Sequence, residues 1–190
     1  MLRHLGRLIV SPKARANALH ERRRRRRGEP AFPAGPIRRV VIICLGNICR
    51  SPFAGELLAS LRPSLSVRSR GLAAGEGAPA EPAALRVAAR FGIDLSSHQA
   101  RLLVADDVLW ADLILAMEGH HLASLARDWP RQKLEARLLG DFLPEPPFTI
   151  RDPWGQSDDF FELTFQRIAD AVGRLSLRLE AKGSGCPGGS

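Results

Sequence analysis

The chain has 190 residues, 45% of them hydrophobic and 25% charged, which is the size and composition of one globular domain with a substantial core. Its formal net charge of +8 is uneven, because residues 1–39 hold 12 of the 28 Lys and Arg and two of the 20 Asp and Glu. The rest of the chain is close to neutral, which argues against a nucleic-acid role for the whole protein. No apolar run approaches the ~20 residues of a membrane-spanning helix. Three irregularly spaced cysteines make no disulfide framework, so we expect a cytoplasmic protein.

The basic segment covers residues 1–36 and contains six consecutive arginines, Arg22 to Arg27, the last two of which begin the turn-prone RRGEPAFPAGP. Blocks of like charge are usually disordered, so we predict a disordered extension here. Two alternatives are an organelle-targeting peptide and an electrostatic tether to RNA, DNA or acidic lipid. Residues 183–190 (GSGCPGGS) are predicted to form a flexible tail, in which Cys186 is an idle thiol.

Between these segments, residues 37–182 alternate between strand-like and helix-like patterns. Short apolar runs predict strands over residues 39–44, 64–69, 111–117 and 134–139. Helical periodicity and helix-breaking residues predict helical segments over residues 51–61, 81–91, 96–110, 118–129 and 158–181. Strands separated by helices imply a single three-layer α/β domain, in which helices flank a four-stranded parallel sheet. Ligands of such sheets bind at the carboxyl ends of strands, and the first strand ends at Cys44.

The first strand continues through the loop CLGNICRS into a helix. Gly and Asn tolerate positive φ, so successive N–H groups of this loop can point at one centre, and the helix N-terminus adds its positive end. Such a concavity suits a tetrahedral dianion, and Arg50 is placed to close it through two parallel hydrogen bonds. The predicted phosphate-binding residues are Leu45, Gly46, Asn47, Ile48, Cys49, Arg50 and Ser51.

Cys44 is the candidate nucleophile of this loop. A cysteine beside a helix N-terminus and an arginine ionises more readily than a free thiol, and a thiolate at the bottom of a phosphate site can attack phosphorus. Ser51, near the start of the helix, can donate its hydroxyl to that sulfur. The simpler interpretation makes Cys44 and Cys49 core residues and Arg50 a surface cation. It does not explain why eight neighbouring positions fit one geometry.

The motif C-x5-R-[ST], here within CLGNICRSP, resembles the active-site loop of the low-molecular-weight protein tyrosine phosphatases, and the resemblance covers about residues 38–182. It implies a metal-independent phosphatase without a cofactor, in which Cys44 and Arg50 are catalytic. The family keeps its proton donor in an Asp-Pro-aromatic motif, which implies that Asp152 of Asp152-Pro153-Trp154 is the general acid. The residues expected to form the pocket wall are Leu45, Ile48, Leu72 and Trp154.

The resemblance also implies a supporting shell for the loop. Ser69 and His98 match family positions that hydrogen-bond with the loop asparagine, here Asn47, and Ser51 supports the loop from the helix. His120 and His121 match no catalytic position. Adjacent residues on a helix diverge by about 100°, so this pair is a poor chelator. We predict a solvent-facing helix start there and no metal site.

Relatives that share this loop differ in chemistry. Thioredoxin-coupled arsenate reductases need two further cysteines, and this chain has none between Arg50 and Gly185. Protein-arginine phosphatases carry threonine where this chain has Ile48, so a phenyl ring is the preferred ligand. The sequence Ser69-Arg70-Gly71-Leu72 and the absence of tyrosine resemble the bacterial branch, which includes phosphatases of tyrosine autokinases in exopolysaccharide export. Arg70 replaces the alanine that is usual at this position, so the sequence does not decide the width or the charge of the pocket.

The resemblance therefore implies a protein-tyrosine phosphatase that forms a cysteinyl-phosphate intermediate and acts on a phosphotyrosyl protein, for which a tyrosine autokinase is the candidate. A rival from another class is a phosphate-sensing or nucleic-acid-tethered binding module without turnover. The joint presence of Cys44, Arg50 and Asp152 argues against it, because a binding module needs neither nucleophile nor acid.

Overall fold

The computed structural model describes residues 11–29, 31–33 and 35–184. Its sheet has four strands: β1 (Arg39–Cys44), β2 (Ser66–Gly71), β3 (Leu113–Ala116) and β4 (Ala136–Leu138). All pairings are parallel and the strand order is β2-β1-β3-β4. The chain leaves β1 towards β2 on one side, whereas β3 lies on the other, so the carboxyl end of β1 is at the switch point of strand order. The predicted fold class is confirmed.

The sheet is covered by helices on both faces. The helices of the described residues are α1 (Pro12–Arg27), α2 (Arg50–Leu61), α3 (Pro82–Arg90), α4 (Ala105–Trp110), α5 (Gly119–Asp128) and α6 (Asp158–Ser184), with a 3-10 turn at Leu139–Phe142. Of these, α1 packs on α5. The prediction of helix over residues 96–110 is right only for α4. Residues 100–103 are not helical and hydrogen-bond to other parts of the chain instead. Gly71 N–H at the end of β2 donates to Arg101 O, and Ala100 N–H donates to Ala78 O.

β1 separates two apolar clusters, because its side chains alternate between the faces of the sheet. Val40, Ile42 and Cys44 belong to the larger cluster, which α2, α3 and α6 complete. Val41 and Ile43 belong to the smaller cluster beneath α4 and α5. Every β1 residue after Arg39 is buried, so the strand is a rigid support for the loop that follows it.

The prediction that the basic segment is disordered is wrong for residues 12–27, which form α1. Ser11 caps this helix by accepting a hydrogen bond from Ala14 N–H at 3.2 Å. One face of α1 lies on the domain and bears Ala16, Asn17, His20, Glu21 and Arg24, a spacing typical of one side of a helix. The arginines of the run repel one another, but four of them occupy the last turn of α1. Positive charge there interacts favourably with the negative end of the helix dipole. Contacts with the domain, which the composition does not reveal, account for the order.

The C-terminal helix also extends slightly beyond the prediction. α6 continues to Ser184, two residues into the segment predicted as a flexible tail, and Cys186 lies outside the described residues. In the ranges that the structure describes, every helix is either too short or too polar to cross a lipid bilayer.

Candidate active site

The loop between β1 and α2 holds Cys44 at its floor. Cys44 Sγ accepts a hydrogen bond from Asn47 N–H at 3.2 Å and lies 3.1 Å from Ser51 Oγ. The single hydroxyl proton of Ser51 faces two acceptors, because Ser51 Oγ is also 3.2 Å from the Arg70 carbonyl. When that proton turns to the sulfur, two donors converge on one atom. This is the arrangement that stabilises negative charge on a nucleophile or on a leaving sulfur.

Asn47 holds the turn in shape. It is fully buried and has a φ of 54°, in the left-handed region that Asn tolerates better than most residues. Its side-chain amide donates to Ser51 Oγ at 2.9 Å and accepts from Arg101 N–H at 2.8 Å. His98 Nε2 lies 2.7 Å from the Asn47 carbonyl, in the position that the sequence assigned to it.

The predicted contact between Ser69 and Asn47 is wrong. Among the described residues, Ser51 and Arg101 bind the Asn47 side chain, and Ser69 faces α2 instead. A Cβ placed at Gly55 of α2 would lie 3.4 Å from Ser69 Cβ, so the serine fills the contact between strand and helix. Support from this strand comes instead from Gly71. A Cβ there would lie 2.8 Å from Leu45 O, so only glycine lets the loop rest on the end of β2.

Arg50 is the first residue of α2 and is only 1% exposed. Its Nη1 donates to Glu118 Oε1 and to the Ile150 carbonyl, both at 2.9 Å. Its Nη2 lies 2.7 Å from Asp152 Oδ2, and its Nε has no hydrogen-bond partner among the described residues. Nε and Nη2 form the edge of a guanidinium that binds two oxygens of a tetrahedral anion side by side. The protein thus holds Nη1, pairs Nη2 with Asp152 and leaves Nε, at the same edge as Nη2, without a partner among the described residues.

Asp152 lies opposite the loop, over the same cavity. Its Oδ1 accepts a hydrogen bond from Trp154 N–H at 3.3 Å, and its side chain is 28% exposed. The cavity has a volume of about 260 Å³. The residues that line it are Cys44, Leu45, Gly46, Ile48, Cys49, Arg50, Ala73, Asp152 and Trp154. The structure therefore brings the candidate nucleophile, cation and acid together.

One predicted wall residue is misplaced. Leu72 does not line the cavity but packs against the smaller apolar cluster, and Ala73 takes the wall position. Both residues continue the hydrogen bonding of β2 towards β1, with Leu72 N–H donating to Cys44 O and Ala73 N–H to Leu45 O. Successive side chains of an extended segment point to opposite faces, so only one of the two can face the cavity.

Arg70 neither narrows nor charges the cavity. Its Nε donates to Asp107 Oδ2 at 2.7 Å, and Arg68 Nη1 donates to the other oxygen of Asp107 at 3.0 Å. Burial on its own would raise the pKa of Asp107, but the hydrogen bonds from Arg70 and Arg68 outweigh it and lower that pKa. Arg70 is thus committed to an ion pair at the start of α4.

Glu118 is a site residue that the sequence analysis missed. Its carboxylate is buried against Arg50 Nη1, and Glu118 is the N-cap residue of α5, where its backbone carbonyl accepts from His121 N–H. Burial would raise the pKa of Glu118, but Arg50, Asn17 and Lys13 together lower it to about 2. The sequence does contain an indication of this role, because Glu118 follows a buried strand and so lies at the same edge of the sheet as Cys44.

The prediction of a solvent-facing helix start at His120 and His121 is wrong. His121 is fully buried, and burial lowers its pKa to about 3, with Arg50 and His120 adding to the effect. Glu118, His120 and His121 each offer one atom to a group whose atoms lie within 4.8 Å of one another. Their bonds do not suit a metal ion. His121 Nδ1 accepts from Glu118 N–H, which places the proton on Nε2, and the carboxylate is shared by Arg50, Lys13 and Asn17.

Cys49 is the second thiol of the loop. It is 3% exposed, and burial together with the neighbouring Cys44 raises its pKa well above the ordinary value. At neutral pH it therefore stays protonated. A protonated thiol is a weak nucleophile, so Cys44 is the better candidate nucleophile of the two.

Comparisons with known proteins agree with this geometry. The sequence model of the low molecular weight phosphotyrosine protein phosphatase family matches residues 39–184. The probable low molecular weight protein-tyrosine-phosphatase EpsP of Ralstonia nicotianae is 37% identical over 147 residues, which are 77% of this chain and 99% of that protein. The tyrosine phosphatase AmsI of Erwinia amylovora has a crystal structure that superposes with a TM-score of 0.73 at 32% identity, covering 78% of this chain and 97% of AmsI.

An arginine phosphatase shares the same fold. YwlE of Geobacillus stearothermophilus superposes with a TM-score of 0.74 at 28% identity, over 82% of this chain and 100% of YwlE. The backbone alone therefore does not separate the two chemistries, whereas the relatives of higher identity described above are both tyrosine phosphatases. The chain belongs to the low molecular weight phosphotyrosine protein phosphatase family, and it is a protein-tyrosine phosphatase.

Proposed function

We propose that the protein hydrolyses phosphotyrosine in two steps, with Cys44, Arg50 and Asp152 in the catalytic roles. In the first step Cys44 Sγ attacks phosphorus, the bond from phosphorus to the tyrosyl oxygen breaks, and Asp152 gives that oxygen its proton. In the second step water attacks the cysteinyl phosphate, Asp152 takes a proton from the water, and the sulfur leaves. Inorganic phosphate is released and both side chains return to their starting states.

One observation carries this proposal. The Nε–Nη2 edge of Arg50 is unfilled at Nε, although the side chain is buried and its other amino group has two acceptors. A buried donor without a partner costs free energy, so its retention requires a reason. An equatorial pair of phosphoryl oxygens supplies one, because charge in phosphoryl transfer spreads over those oxygens and must be stabilised by fixed donors.

The lining of the cavity supports an aryl phosphate as the substrate. Leu45 and Trp154 are exposed apolar side chains that line the cavity, and the half-buried Ile48 lines it with them. An apolar wall suits a phenyl ring better than the guanidinium of phosphoarginine, which would lose hydration against it. Ala73 contributes little surface, so an isolated phosphotyrosine is expected to bind loosely.

The physiological substrate that we propose is a phosphotyrosyl protein, with a tyrosine autokinase as the candidate. Support comes from the sequence Ser69-Arg70-Gly71-Leu72, which resembles the bacterial branch, and from the similarity to EpsP and AmsI. The small Ala73 at the cavity wall adds a physical argument, because contacts outside the cavity must then supply much of the affinity. The compartment that we propose is the cytoplasm, where a catalytic thiol stays reduced.

The experiment that tests this function compares three substrates with the full-length protein: a phosphotyrosine peptide, p-nitrophenyl phosphate and a phosphoarginine peptide. We expect hydrolysis of the first two, unaffected by EDTA, and little hydrolysis of the third. Cys44→Ser should abolish turnover but retain binding of inorganic phosphate. Turnover by Cys44→Ser would contradict the nucleophile, and phosphate binding by the wild type without any turnover would favour the binding-module alternative.

A further inference from the structure

Helix α1 reaches the catalytic centre although it lies outside the family match, which begins at residue 39. Asn17 Nδ2 donates to Glu118 Oε2 at 2.9 Å, and Lys13 Nζ lies 3.3 Å from Glu118 Oε1. The side-chain carbonyl of Asn17 accepts from His120 N–H at 3.2 Å, which ties the same residue to the first turn of α5. Asn17 therefore binds both the carboxylate that pairs with Arg50 and the helix that carries it.

A second contact of α1 leads to the other acceptor of Arg50. Glu21 Oε1 accepts hydrogen bonds from Thr149 N–H at 2.8 Å and from Thr149 Oγ1 at 3.2 Å. Thr149 precedes Ile150, whose carbonyl accepts from Arg50 Nη1. The segment then continues to Asp152. One turn of α1 thus holds both groups that fix Nη1, the carboxylate of Glu118 and the carbonyl of Ile150.

The docking of α1 is close and specific. A Cβ at Gly119, the first residue of α5, would lie 2.7 Å from the Ala16 carbonyl and 3.1 Å from His20 Cβ, so the helices touch at a position that only glycine allows. Further along α1, His20 Nε2 lies 2.7 Å from Asp141 Oδ1 and Arg24 Nη2 donates to Asp141 O at 2.8 Å. These contacts set the position of Asn17 and Glu21 over the site.

We propose that α1 is a positioning element of the phosphatase site: Asn17 and Glu21 hold Glu118 and the segment around Ile150, and these in turn orient the guanidinium of Arg50 towards phosphate. The proposal rests on the proposed function of Arg50. Asn17 and Glu21 touch no substrate and act only through the two acceptors of Nη1. A guanidinium with a loosened Nη1 still carries its charge but no longer presents Nε and Nη2 in one orientation, so bidentate binding of phosphate weakens.

The test uses full-length variants, Asn17→Ala and Glu21→Ala, with Arg15→Ala on the exposed face of α1 as the matched control. We expect kcat/KM for the phosphotyrosine peptide to fall roughly fivefold to twentyfold in each of the two variants, since each loses hydrogen bonds to or from a charged group. Arg15→Ala should change it less than twofold. Glu21→Gln, which keeps an acceptor for Thr149, should recover most of the activity lost in Glu21→Ala.

A double-mutant cycle separates positioning from simple stabilisation of the fold. On a Glu118→Gln background, where the ion pair with Arg50 is already broken, Asn17→Ala should cause less than a further twofold loss. Independent losses that multiply would overturn the proposal. So would unchanged kcat/KM and phosphate affinity in Asn17→Ala and Glu21→Ala.

A binding measurement keeps this proposal distinguishable from the proposed function. In the Cys44→Ser protein, adding Asn17→Ala should weaken the binding of inorganic phosphate, measured by calorimetry, by a factor similar to the loss in kcat/KM. This readout does not depend on turnover or on the identity of the substrate. If the wild type hydrolyses no phosphotyrosine but the phosphate affinity still falls, the function is wrong and the role of α1 stands; if the affinity is unchanged, the role of α1 is wrong.

Finally, Gly119→Ala tests the docking itself. Alanine favours a helix over glycine by about 1 kcal/mol, so the substitution alone should help α5. We expect instead a loss of activity similar to that of Asn17→Ala, because the new Cβ meets the backbone of α1. Full activity in a folded Gly119→Ala protein would contradict the need for close docking.

Discussion

Arg50 and Asp152, which are 102 positions apart in the chain, form an ion pair across the cavity, with Nη2 and Oδ2 2.7 Å apart. The pair joins the candidate phosphate-binding cation to the candidate general acid. The proposed function therefore requires a phosphoryl group at the Nε–Nη2 edge to displace Asp152 from Nη2, and Asp152 must be protonated to donate to the oxygen of the leaving group.

Asp152→Asn tests the acid. We expect hydrolysis of the phosphotyrosine peptide to slow by about 10²–10⁴-fold, the usual contribution of a positioned general acid. Hydrolysis of p-nitrophenyl phosphate should slow much less in its first step, because p-nitrophenolate leaves readily without a proton. Burst and steady-state kinetics with both substrates measure the difference. Equal slowing of the first step for both would remove Asp152 from this role.

Asn47→Gly and Asn47→Ala test how the loop is held. Both variants lose the hydrogen bonds to Ser51 and Arg101, but only alanine must also adopt the left-handed φ at a cost of about 1–2 kcal/mol. We therefore expect both to be less stable than the wild type, with Asn47→Ala the less stable by about 1 kcal/mol. Urea unfolding measures this order. If the two variants have the same free energy of unfolding, the left-handed backbone conformation at position 47 does not affect stability.

His121 predicts a dependence of stability on pH. Its folded pKa is about 3, so the folded protein keeps it neutral at a pH where the unfolded chain, with an ordinary histidine, binds a proton. The contribution of His121 to the free energy of unfolding is complete above about pH 6.5. It is lost as the pH falls from about 6.5 towards 3, by up to about 1.4 kcal/mol per pH unit. His120, whose pKa burial also lowers, acts in the same direction.

The matched variant is His121→Asn, which keeps an acceptor for Glu118 N–H and cannot titrate. Its free energy of unfolding should fall less steeply than that of the wild type between pH 6.5 and 4.5, as measured by urea unfolding at several pH values. This window lies above the unfolded pKa of Glu118, whose lowered folded pKa adds its own loss of stability only below about pH 4.5. Parallel slopes in the two proteins would contradict the assignment.

Cys49 predicts reversible oxidation. Peroxide oxidises Cys44 to a sulfenic acid, and the thiol of Cys49, which lines the same cavity, can condense with it to a disulfide and release water. We expect dithiothreitol to restore wild-type activity after a brief exposure to peroxide, whereas Cys49→Ala should be largely inactivated for good. Mass spectrometry of the loop peptide identifies the product. If both proteins recover equally, no protective disulfide forms.

Much of the site was readable from the sequence, because the loop is a local structure. Cys44, Asn47, Arg50 and Ser51 lie within eight consecutive residues, and the turn from a buried strand into a helix fixes their relative positions. Asp152 is distant but was found through its Asp-Pro-Trp motif. The alternation of strands and helices was enough to predict the parallel sheet, and the strand end at Cys44 was enough to place the loop at its edge.

The rest depended on packing between segments far apart in the chain. Ser69 and Leu72 were misassigned because the face on which a strand residue lies is decided by the neighbouring helix and by register, not by the residue itself. Glu118 and Asn17 were missed for the same reason: their bond joins positions 101 apart. A basic segment that looks disordered by composition becomes α1 only through contacts with the domain. Sequence thus determined the local chemistry of the phosphate loop, and tertiary structure decided which distant side chains hold its arginine, because only folding brings those groups within hydrogen-bond distance.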